Sequence, residues 1–396
     1  MSLSNERKLE HQPAHLSDQE IFDAHEGGKL TIASSRPLRS VRDLSLAYTP
    51  GVARVCQEVQ HTPAASLRLT GRGRTVAIIS DGSAVLGLGN IGPLAALPVM
   101  EGKAQLFSAF ADLNAVPVVL DVHDADSLVD TIKAMAPSFG AINLEDIAAP
   151  TCFEVERRLI EELDIPVMHD DQHGTAIVIT AALHNACRLL NRDLTRLKVV
   201  ISGAGAAGVA CAKMLHEAGI SDITVLDSRG IIHSGRDNLN PVKQDLLKIT
   251  NPRGISGGVA EALRGADAFI GLSRGHVSEQ ELAGMAAEPI LFSLANPDPE
   301  IAPELAYRYG AVVATGRSDL PNQINNVLAF PGIFHGALAA HATAITPEMK
   351  LAASRAIAEI AAERLDAEYL IPSPLDGRVA PAVSEAVRMA AARQNP

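Results

Sequence analysis

The sequence feature that most restricts the fold is a glycine turn between an apolar strand and a helix. Residues 198–202 form a short apolar run, the turn follows at 203–208 with the spacing GxGxxG, and a helical pattern continues to about residue 218. A second apolar run at 223–226 completes a strand–helix–strand unit. Such a unit requires a parallel sheet covered by helices, so the second half of the chain is expected to be doubly wound.

The glycine turn also predicts a dinucleotide site. Its first glycine permits a tight turn, its second lets backbone N–H groups approach a pyrophosphate, and its third allows close helix packing. The candidate cofactor-binding residues of the turn are Gly203, Ala204, Gly205, Ala206, Ala207 and Gly208. Asp227 ends the next strand, where its carboxylate is placed to accept from a ribose 2′-hydroxyl and to favour NAD. Arg229 would offset that charge for NADP, so the choice between NAD and NADP stays open.

Periodic apolar runs predict the remaining architecture. Strands are expected at residues 75–80, 115–122, 141–142, 165–168, 268–272, 290–294 and 311–315. A helix from about 175 to 190 is expected to connect two domains, and the tail from 347 to 393 reads as mostly helical. The predicted fold class is therefore α/β. An N-terminal α/β catalytic domain, residues 1–165, precedes a doubly wound Rossmann-type domain, residues 166–396, with C-terminal helices.

Two acidic pairs follow strands of the first half. Glu145–Asp146 and Asp170–Asp171 each stand at the end of an apolar run whose flanking sequence would bury them. Carboxylates are hard oxygen donors of the kind that Mg²⁺ and Mn²⁺ prefer. A zinc pair at His169 and His173 is disfavoured, because we expect these residues in a strand-to-loop segment rather than on one helical face.

Composition excludes several partners. The chain has 34 Lys and Arg against 46 Asp and Glu, a net charge of −12, which argues against nucleic-acid binding. The most apolar stretch, residues 84–100, is interrupted by prolines and glycines, which argues against a membrane span. Four scattered cysteines and an N-terminus without an apolar signal core predict a reducing, cytoplasmic location. Cys152 lacks an adjacent base and is expected to pack in the core.

An ordered set of motifs identifies a family resemblance. The segments are LSLAYTPGVA, DGSAVLGLGNIGP, EGKAQLF, INLEDIAAPTCFEVE, HDDQHGTA, GAGAAG, SLANPDP and NQINNVLAFPGIFHGAL. Together they closely resemble the malic enzymes, in particular the short stand-alone bacterial branch, from about residue 44 to 338. The resemblance implies oxidative decarboxylation of (S)-malate to pyruvate and CO₂. It also implies hydride transfer to NAD or NADP, a divalent cation and a homodimer.

The resemblance further implies roles for individual residues. Tyr48 would be the general acid, Lys103 the general base, and Asp170 the residue that orients the lysine. The implied ligands of Mg²⁺ or Mn²⁺ are Glu145, Asp146 and Asp171. The implied amides are Asn296 for the cofactor and Asn325 or Asn326 for the substrate; an amide can bind a carboxylate without titrating. In the mechanism we expect, the cation and burial lower the pKa of Lys103 so that it accepts the hydroxyl proton.

One position departs from the family pattern. Ala84 stands where the larger eukaryotic branch has an arginine that holds a malate carboxylate. Ser83, the cation or a residue of a neighbouring subunit would have to bind that carboxylate instead. Two rival hypotheses are a metal-free dehydrogenase of the amino-acid type and a catalytically silent NAD-binding protein. Chelation sensitivity separates the first rival from a malic enzyme, and turnover separates the second.

Overall fold

The computed structural model describes residues 16–85, 87–295 and 298–393, which contain two β-sheets in succession along the chain. The first part consists of α1 (Asp18–Asp23), α2 (Val41–Ala47), α3 (Val52–His61), α4 (Ala65–Leu69), β1 (Thr75–Ser80), α5 (Pro93–Ala111), β2 (Asn114–Val119), α6 (Ala125–Met135), β3 (Ala141–Leu144), α7 (Thr151–Glu162), β4 (Val167–His169) and α8 (Asp170–Leu189).

The second part continues in the same alternating pattern. It consists of β5 (Lys198–Ser202), α9 (Ala206–Glu217), β6 (Asp222–Asp227), β7 (Gly230–Ile231), α10 (Pro241–Leu246), α11 (Val259–Leu263), β8 (Ala268–Gly271), α12 (Glu279–Leu282), β9 (Ile290–Ser293), α13 (Pro303–Tyr309), β10 (Val312–Thr315), α14 (Phe330–Ala339), α15 (Pro347–Ala362) and α16 (Val379–Ala392).

The first sheet has the strand order β2–β1–β3–β4, and all of its strand pairs are parallel. Strands β1 and β3 are almost entirely buried, as expected for parallel strands covered on both faces. The pairing of β3 with β4 places Leu144 opposite His169. The residues that follow these two strands therefore leave the same edge of the sheet side by side.

The second sheet has the order β10–β9–β8–β5–β6–β7, with only the short edge strand β7 antiparallel among the described strands. This arrangement confirms the doubly wound prediction. The turn after β5 requires its glycines: Gly203 has φ +122°, and a Cβ at Gly208 would lie 1.9 Å from the Gly203 carbonyl oxygen. The edge strand β7 was not predicted, because two residues carry no periodic signal.

Helix α8 corrects one sequence expectation. It begins at Asp170 rather than near residue 175, so Asp170 and Asp171 occupy its first turn instead of a loop. Carboxylates are stabilised at this end by the unpaired backbone N–H groups and the helix dipole. The sequence reading missed this start because Gly174 interrupts the apolar periodicity of the first turn.

The C-terminal helices join the two sheets into one core. Helix α14 packs against α5 and α16, and α15 packs against α8, so the end of the chain returns to the first half. Phe107 of α5 contacts Phe330 and Phe334 of α14, with ring centroids 4.8 Å and 5.5 Å apart. These contacts join residues far apart in the sequence, and they fix α5 against α14.

Two further observations concern the whole described chain. Within residues 16–85, 87–295 and 298–393, every helix is too short or too polar to cross a lipid bilayer. All four cysteines are free, and Cys152 is fully buried among apolar side chains. Burial raises the pKa of the Cys152 thiol to about 12, which favours the packing role expected for it.

Candidate active site

The two acidic pairs meet at the carboxyl edge of the first sheet. Glu145 and Asp146 follow β3, and Asp170 and Asp171 open α8 directly after β4. Because β3 and β4 are parallel neighbours, both pairs emerge at the same edge. Oxygen atoms of Glu145, Asp146 and Asp171 lie within 4.8 Å of one another, so the structure brings together the three carboxylates that the resemblance implied.

Lys103 of α5 enters this acidic group. Its side chain is only 7% exposed, and its Nζ donates to Asp170 Oδ2 at 2.5 Å and pairs with Glu145. The same Nζ lies 4.5 Å from the centroid of the Phe330 ring. We call Lys103, Glu145, Asp146, Asp170 and Asp171 the carboxylate–lysine cluster. Helix α14 thus supplies the aromatic ring that lies beside the amine.

The protein charges of this cluster are out of balance. Burial, together with the Glu145 charge, raises the pKa of Asp170 to about 7, although Lys103 opposes the shift. Burial also raises the pKa of Glu145 above its ordinary value, again against the effect of Lys103. Burial alone would lower the pKa of Lys103, but the charges of Asp170 and Glu145 outweigh it and raise that pKa. Four acidic groups share one lysine, so the cluster lacks positive charge.

This imbalance fits a divalent cation. Three carboxylates from two turns offer hard oxygen ligands in a largely buried setting, which suits Mg²⁺ or Mn²⁺. The raised pKa values of the carboxyl groups indicate that the cluster lacks positive charge. A bound dication would supply it. The expected lowering of the Lys103 pKa therefore depends on that cation, since burial is outweighed by the neighbouring carboxylates.

The loop after β1 supports the acidic edge. The backbone N–H of Ala84 donates to the Asp146 carbonyl, and the N–H of Asp146 donates to Asp171 Oδ2. Asp146 has φ +53°, an unusual conformation for a residue with a side chain. Ser83 Oγ donates to Asp81 and accepts from the Ala148 N–H. Ser83 therefore holds the loop in place, and its proton is already committed to Asp81.

Glu156 is a site residue that the sequence analysis missed. This buried side chain of α7 accepts hydrogen bonds from the His169 N–H and the Gln172 amide, and it contacts His173 Nε2. Burial opposes its charge, but His173 holds the pKa of Glu156 at about 2. It satisfies the start of α8, where His169 gives no side-chain cap. Only the tertiary contacts of Glu156 with the start of α8 show this role.

The amide predictions have different outcomes. Asn326 Nδ2 donates to Asp170 Oδ2 at 2.5 Å, so Asn326 belongs to the surroundings of the cluster. Asn325 caps a short helical turn through the Val327 N–H, and no described contact joins it to the cluster. Asn296 lies outside the described residues. Asn143 also donates to Glu145, a contact that the sequence analysis did not predict.

Tyr48 lies apart from the buried cluster. It follows α2, and its carbonyl accepts the Val52 N–H that opens α3, so it stands at the helix entrance expected for it. However, its side chain is 66% exposed, and among the described residues its hydroxyl has no hydrogen-bond partner. The structure places Lys103 among the carboxylates, whereas it leaves Tyr48 at the surface.

The glycine turn is open toward solvent at the position expected for a pyrophosphate. A Cβ at Gly205 would meet no atom within 4 Å, and α9 begins at the next residue with unpaired N–H groups. This geometry fits the phosphates of a dinucleotide.

The carboxylate of Asp227 is already occupied by protein donors. Asp227 pairs with both terminal nitrogens of Arg236 and with Lys243, and we call these three residues the Asp227 cluster. The sequence analysis missed both cations because they belong to a loop and to α10.

The histidine pair does not form a shared site. His169 Nε2 lies 3.6 Å from Asp171, while His173 contacts Glu156 on the neighbouring helix. The two rings therefore have different partners. The strand-to-loop setting expected for these histidines is wrong, because His169 is the N-cap residue of α8 and His173 lies inside the helix.

Comparisons with known proteins cover both halves of the chain. The malic enzyme N-terminal domain model matches residues 27–160, and the malic enzyme NAD-binding domain model matches residues 172–392. The chain is 52% identical over 381 residues to a NAD-dependent malic enzyme of Geobacillus stearothermophilus, covering 96% of this chain and 80% of that protein. It is 47% identical to a NADP-dependent malic enzyme of Halomonas elongata, covering 92% and 90%.

A solved structure gives the same result. The crystal structure of malic enzyme from Pyrococcus horikoshii superposes with a TM-score of 0.92 at 45% identity. The match covers 95% of this chain and 91% of that chain.

Proposed function

The chain belongs to the malic enzyme family, and on this premise we propose that the carboxylate–lysine cluster is its active site. The family's reaction is oxidative decarboxylation of malate to pyruvate and CO₂, with hydride transfer to NAD or NADP. The observation that carries the proposal is the convergence of Lys103 with three potential ligands from two separate turns. Neither the turn after β3 nor the turn that opens α8 could bind a cation or move a proton alone.

Glu145, Asp146 and Asp171 would hold the divalent cation. When bound, that cation supplies positive charge that orients the malate oxygens and stabilises the negative charge formed as CO₂ leaves. The Asp146 N–H already donates to Asp171, so the two turns are tied together before any ligand arrives. The largely buried setting keeps competing water away from the carboxylates.

Lys103 is proposed to accept the proton of the malate C2 hydroxyl. Its Nζ is held by Asp170 and Glu145 and lies against Phe330, so these contacts restrict the orientation of the amine. Asn326 donates to the same Asp170 oxygen and fixes the carboxylate that orients the lysine. Proton acceptance requires the neutral amine, and the extra positive charge of the cation lowers the pKa of Lys103 in that direction.

Tyr48 is proposed to protonate C3 after decarboxylation. A phenolic hydroxyl carries a proton that it can donate. Because its side chain is exposed, the phenol must reach a cluster either by closure of the α2–α3 segment or from a second copy of the chain. The Tyr48→Phe variant is expected to lose pyruvate formation while its melting temperature stays unchanged.

We propose that the protein is a homodimer located in the cytoplasm. The N-terminal half of the chain exposes large apolar side chains that a partner subunit would cover, among them Leu38, Val41, Leu46 and Leu94. Four free cysteines favour a reducing compartment. Sedimentation analysis of Val41→Asp beside wild type tests the dimer.

We also propose the domain boundary near residue 165, just before β4 leads into the connecting helix.

The activity test follows NAD(P)H formation at 340 nm with malate, each dinucleotide, and Mn²⁺ present or chelated by EDTA. We expect turnover only with metal, and we expect Lys103→Ala to lower kcat by about 10³-fold, the usual range for a general base being ~10²–10⁴. Lys133→Ala, which removes a surface ion pair with Glu162, is the matched control. Activity that survives EDTA would favour the metal-free dehydrogenase, and a near-normal rate for Lys103→Ala would refute the base assignment.

A further inference from the structure

Glu300 is a buried acid that the proposed mechanism does not use. It follows β9 in the chain and is fully shielded from solvent. Its Oε1 accepts from the Ser273 backbone N–H at 2.9 Å, and its Oε2 accepts from the Ser293 hydroxyl at 3.0 Å and the Ala295 backbone N–H at 3.3 Å. Burial raises the pKa of Glu300, and these hydrogen bonds oppose the shift. Donors from the ends of two strands, β8 and β9, therefore offset the burial of this carboxylate.

Gly271 makes room for the Glu300 carboxylate. It is the last residue of β8, and a Cβ added there would lie 2.5 Å from Glu300 Oε2. A side chain at this position would therefore push the carboxylate away from its donors. The Glu300 carbonyl also accepts from the Val277 N–H at 2.9 Å. Glu300 thus holds the segment 272–277, which we call the β8 loop, near both of its ends.

The β8 loop forms one wall of the crevice in which a dinucleotide is expected. The chain runs from β5 outward to β7 and returns to β8 on the other side of β5, so the strand order reverses between β5 and β8. Ligands of doubly wound sheets bind at such a reversal, outside the carboxyl ends of the strands. The glycine turn is the other wall, and a Cβ at Gly203 would lie 2.9 Å from the Leu272 carbonyl oxygen and 3.1 Å from Ser273 Cβ. The two walls are therefore packed directly against each other.

The β8 loop also contacts the first half of the chain. Arg274 donates to the Gly87 carbonyl at 2.6 Å, across 187 positions of sequence. Gly87 belongs to the loop after β1, whose Ala84 N–H donates to the carbonyl of Asp146 in the carboxylate–lysine cluster. The β8 loop thus connects the glycine turn with the loop that supports the proposed cation ligands.

From these contacts we infer that Glu300 is a positioning residue for the dinucleotide, because it fixes the β8 loop against the glycine turn before any ligand binds. The inference rests on the proposed function only in assuming that the glycine turn binds a dinucleotide. In this assignment Glu300 contacts neither the cofactor nor the substrate. A loop that is already fixed loses little freedom when a ligand binds, whereas a loose loop must be ordered, which lowers the affinity. The loss should be similar for NADH and NADPH, since Glu300 acts through the loop and not on the ribose.

The test measures the Kd of NADH and of NADPH by nicotinamide fluorescence, without malate or metal. Glu300→Gln keeps the size of the side chain but replaces one acceptor oxygen with an NH₂ group, so the N–H of either Ser273 or Ala295 loses its partner. We expect both Kd values to rise by about tenfold, the effect of losing one hydrogen bond to a charged group. Binding is measured well below the melting temperature of each variant, so that every titration reports on folded protein.

Gly271→Ala provides a second, independent test, which also serves if Glu300→Gln does not fold. It displaces the carboxylate without removing it, so both Kd values should rise as they do in Glu300→Gln. The matched control is Glu279→Gln, which changes an exposed acid just beyond the β8 loop and should alter both constants by less than about twofold.

A purely structural role gives a different result. If Glu300→Gln and Gly271→Ala lower the melting temperature but leave both Kd values unchanged, the inference is overturned. Failure of the proposed function is distinguishable from this outcome. If wild type binds dinucleotides without turning over malate, while both variants bind them more weakly, the proposed function fails and this inference stands.

Discussion

The carboxylate–lysine cluster and the Asp227 cluster occupy equivalent places in the two sheets but have opposite charge balance. Both lie where parallel strands end, the first beside β3 and β4 and the second after β6. The first gathers four acids around Lys103, whereas the second gathers Arg236 and Lys243 around one acid. Strand ends thus bring polar groups together, and the ratio of acids to bases among them determines whether a cation or an anion is attracted.

The pKa values of the two aspartates express the same difference. Burial raises the pKa of Asp170 to about 7, because a single lysine shared with Glu145 and Asp171 does not compensate for lost hydration. Burial also opposes the charge of Asp227, but Arg236 and Lys243 overcome it and hold that pKa well below its ordinary value. Ionised Asp170 therefore costs stability, while ionised Asp227 contributes it.

The largest expected effect on stability is therefore that of Asp170→Asn. The folded pKa of Asp170 lies above its ordinary value of 3.8, so wild type loses stability as pH rises from about 4 to 7. The variant lacks this loss, and in EDTA its advantage should grow across that range to on the order of 4 kcal/mol. Urea unfolding of both proteins at several pH values measures the difference. A pH-independent difference would contradict the charge imbalance.

The next effect concerns cation affinity. Asp171→Asn keeps the oxygen that accepts the Asp146 N–H but removes a ligand charge. The Mn²⁺ Kd should rise at least as much as the ~10–100-fold typical of lost outer-shell partners. Electron paramagnetic resonance of free Mn²⁺ gives the Kd without turnover. The matched control is Asp121→Asn, an exposed acid after β2 of the same sheet, which should bind Mn²⁺ as wild type does.

The smallest effect has the opposite sign. Asp227→Asn leaves Arg236 and Lys243 with little solvent and no carboxylate, so it should destabilise the fold by about 2 kcal/mol. Because the pKa of Asp227 is depressed, its contribution is fully present above its ordinary value and is lost only in acid. The deficit should therefore be constant from pH 5 to 8. Asp245→Asn, which breaks an exposed pair with Lys248, should cost almost no stability. If unfolding shows the same loss of stability for Asp245→Asn and Asp227→Asn, the contrast between the two clusters does not hold.

Local patterns predicted much of this molecule. The bounds of β1 and β5 match the predicted runs, and the first three strands precede the acidic or glycine-rich turns expected of them. Periodicity reports such elements because each depends on neighbours within one or two turns of chain. The two acidic pairs were found for the same reason, since donors at strand ends are visible in sequence when apolar runs bracket them, whereas the choice of three ligands among them came from the family resemblance.

The partners of those donors were not visible. Asn326 reaches Asp170 across 156 positions, and Glu156 supports the start of α8 from a different helix. Phe330 lies beside Lys103 only because α14 packs against α5. The exposure of Tyr48 was equally hidden, since its motif is the same whether the phenol is buried or not.

By itself the sequence determined the family, the order of strands along the chain and the kinds of donor at each strand end, because these depend on residue type and local spacing. The tertiary structure alone decided the charge balance at each site. Burial and the approach of side chains from distant segments set the energy of every ionised group, and neither quantity can be read from a linear order of residues. That is why Asp170 and Asp227, both aspartates at the ends of apolar strands, have opposite electrostatic roles.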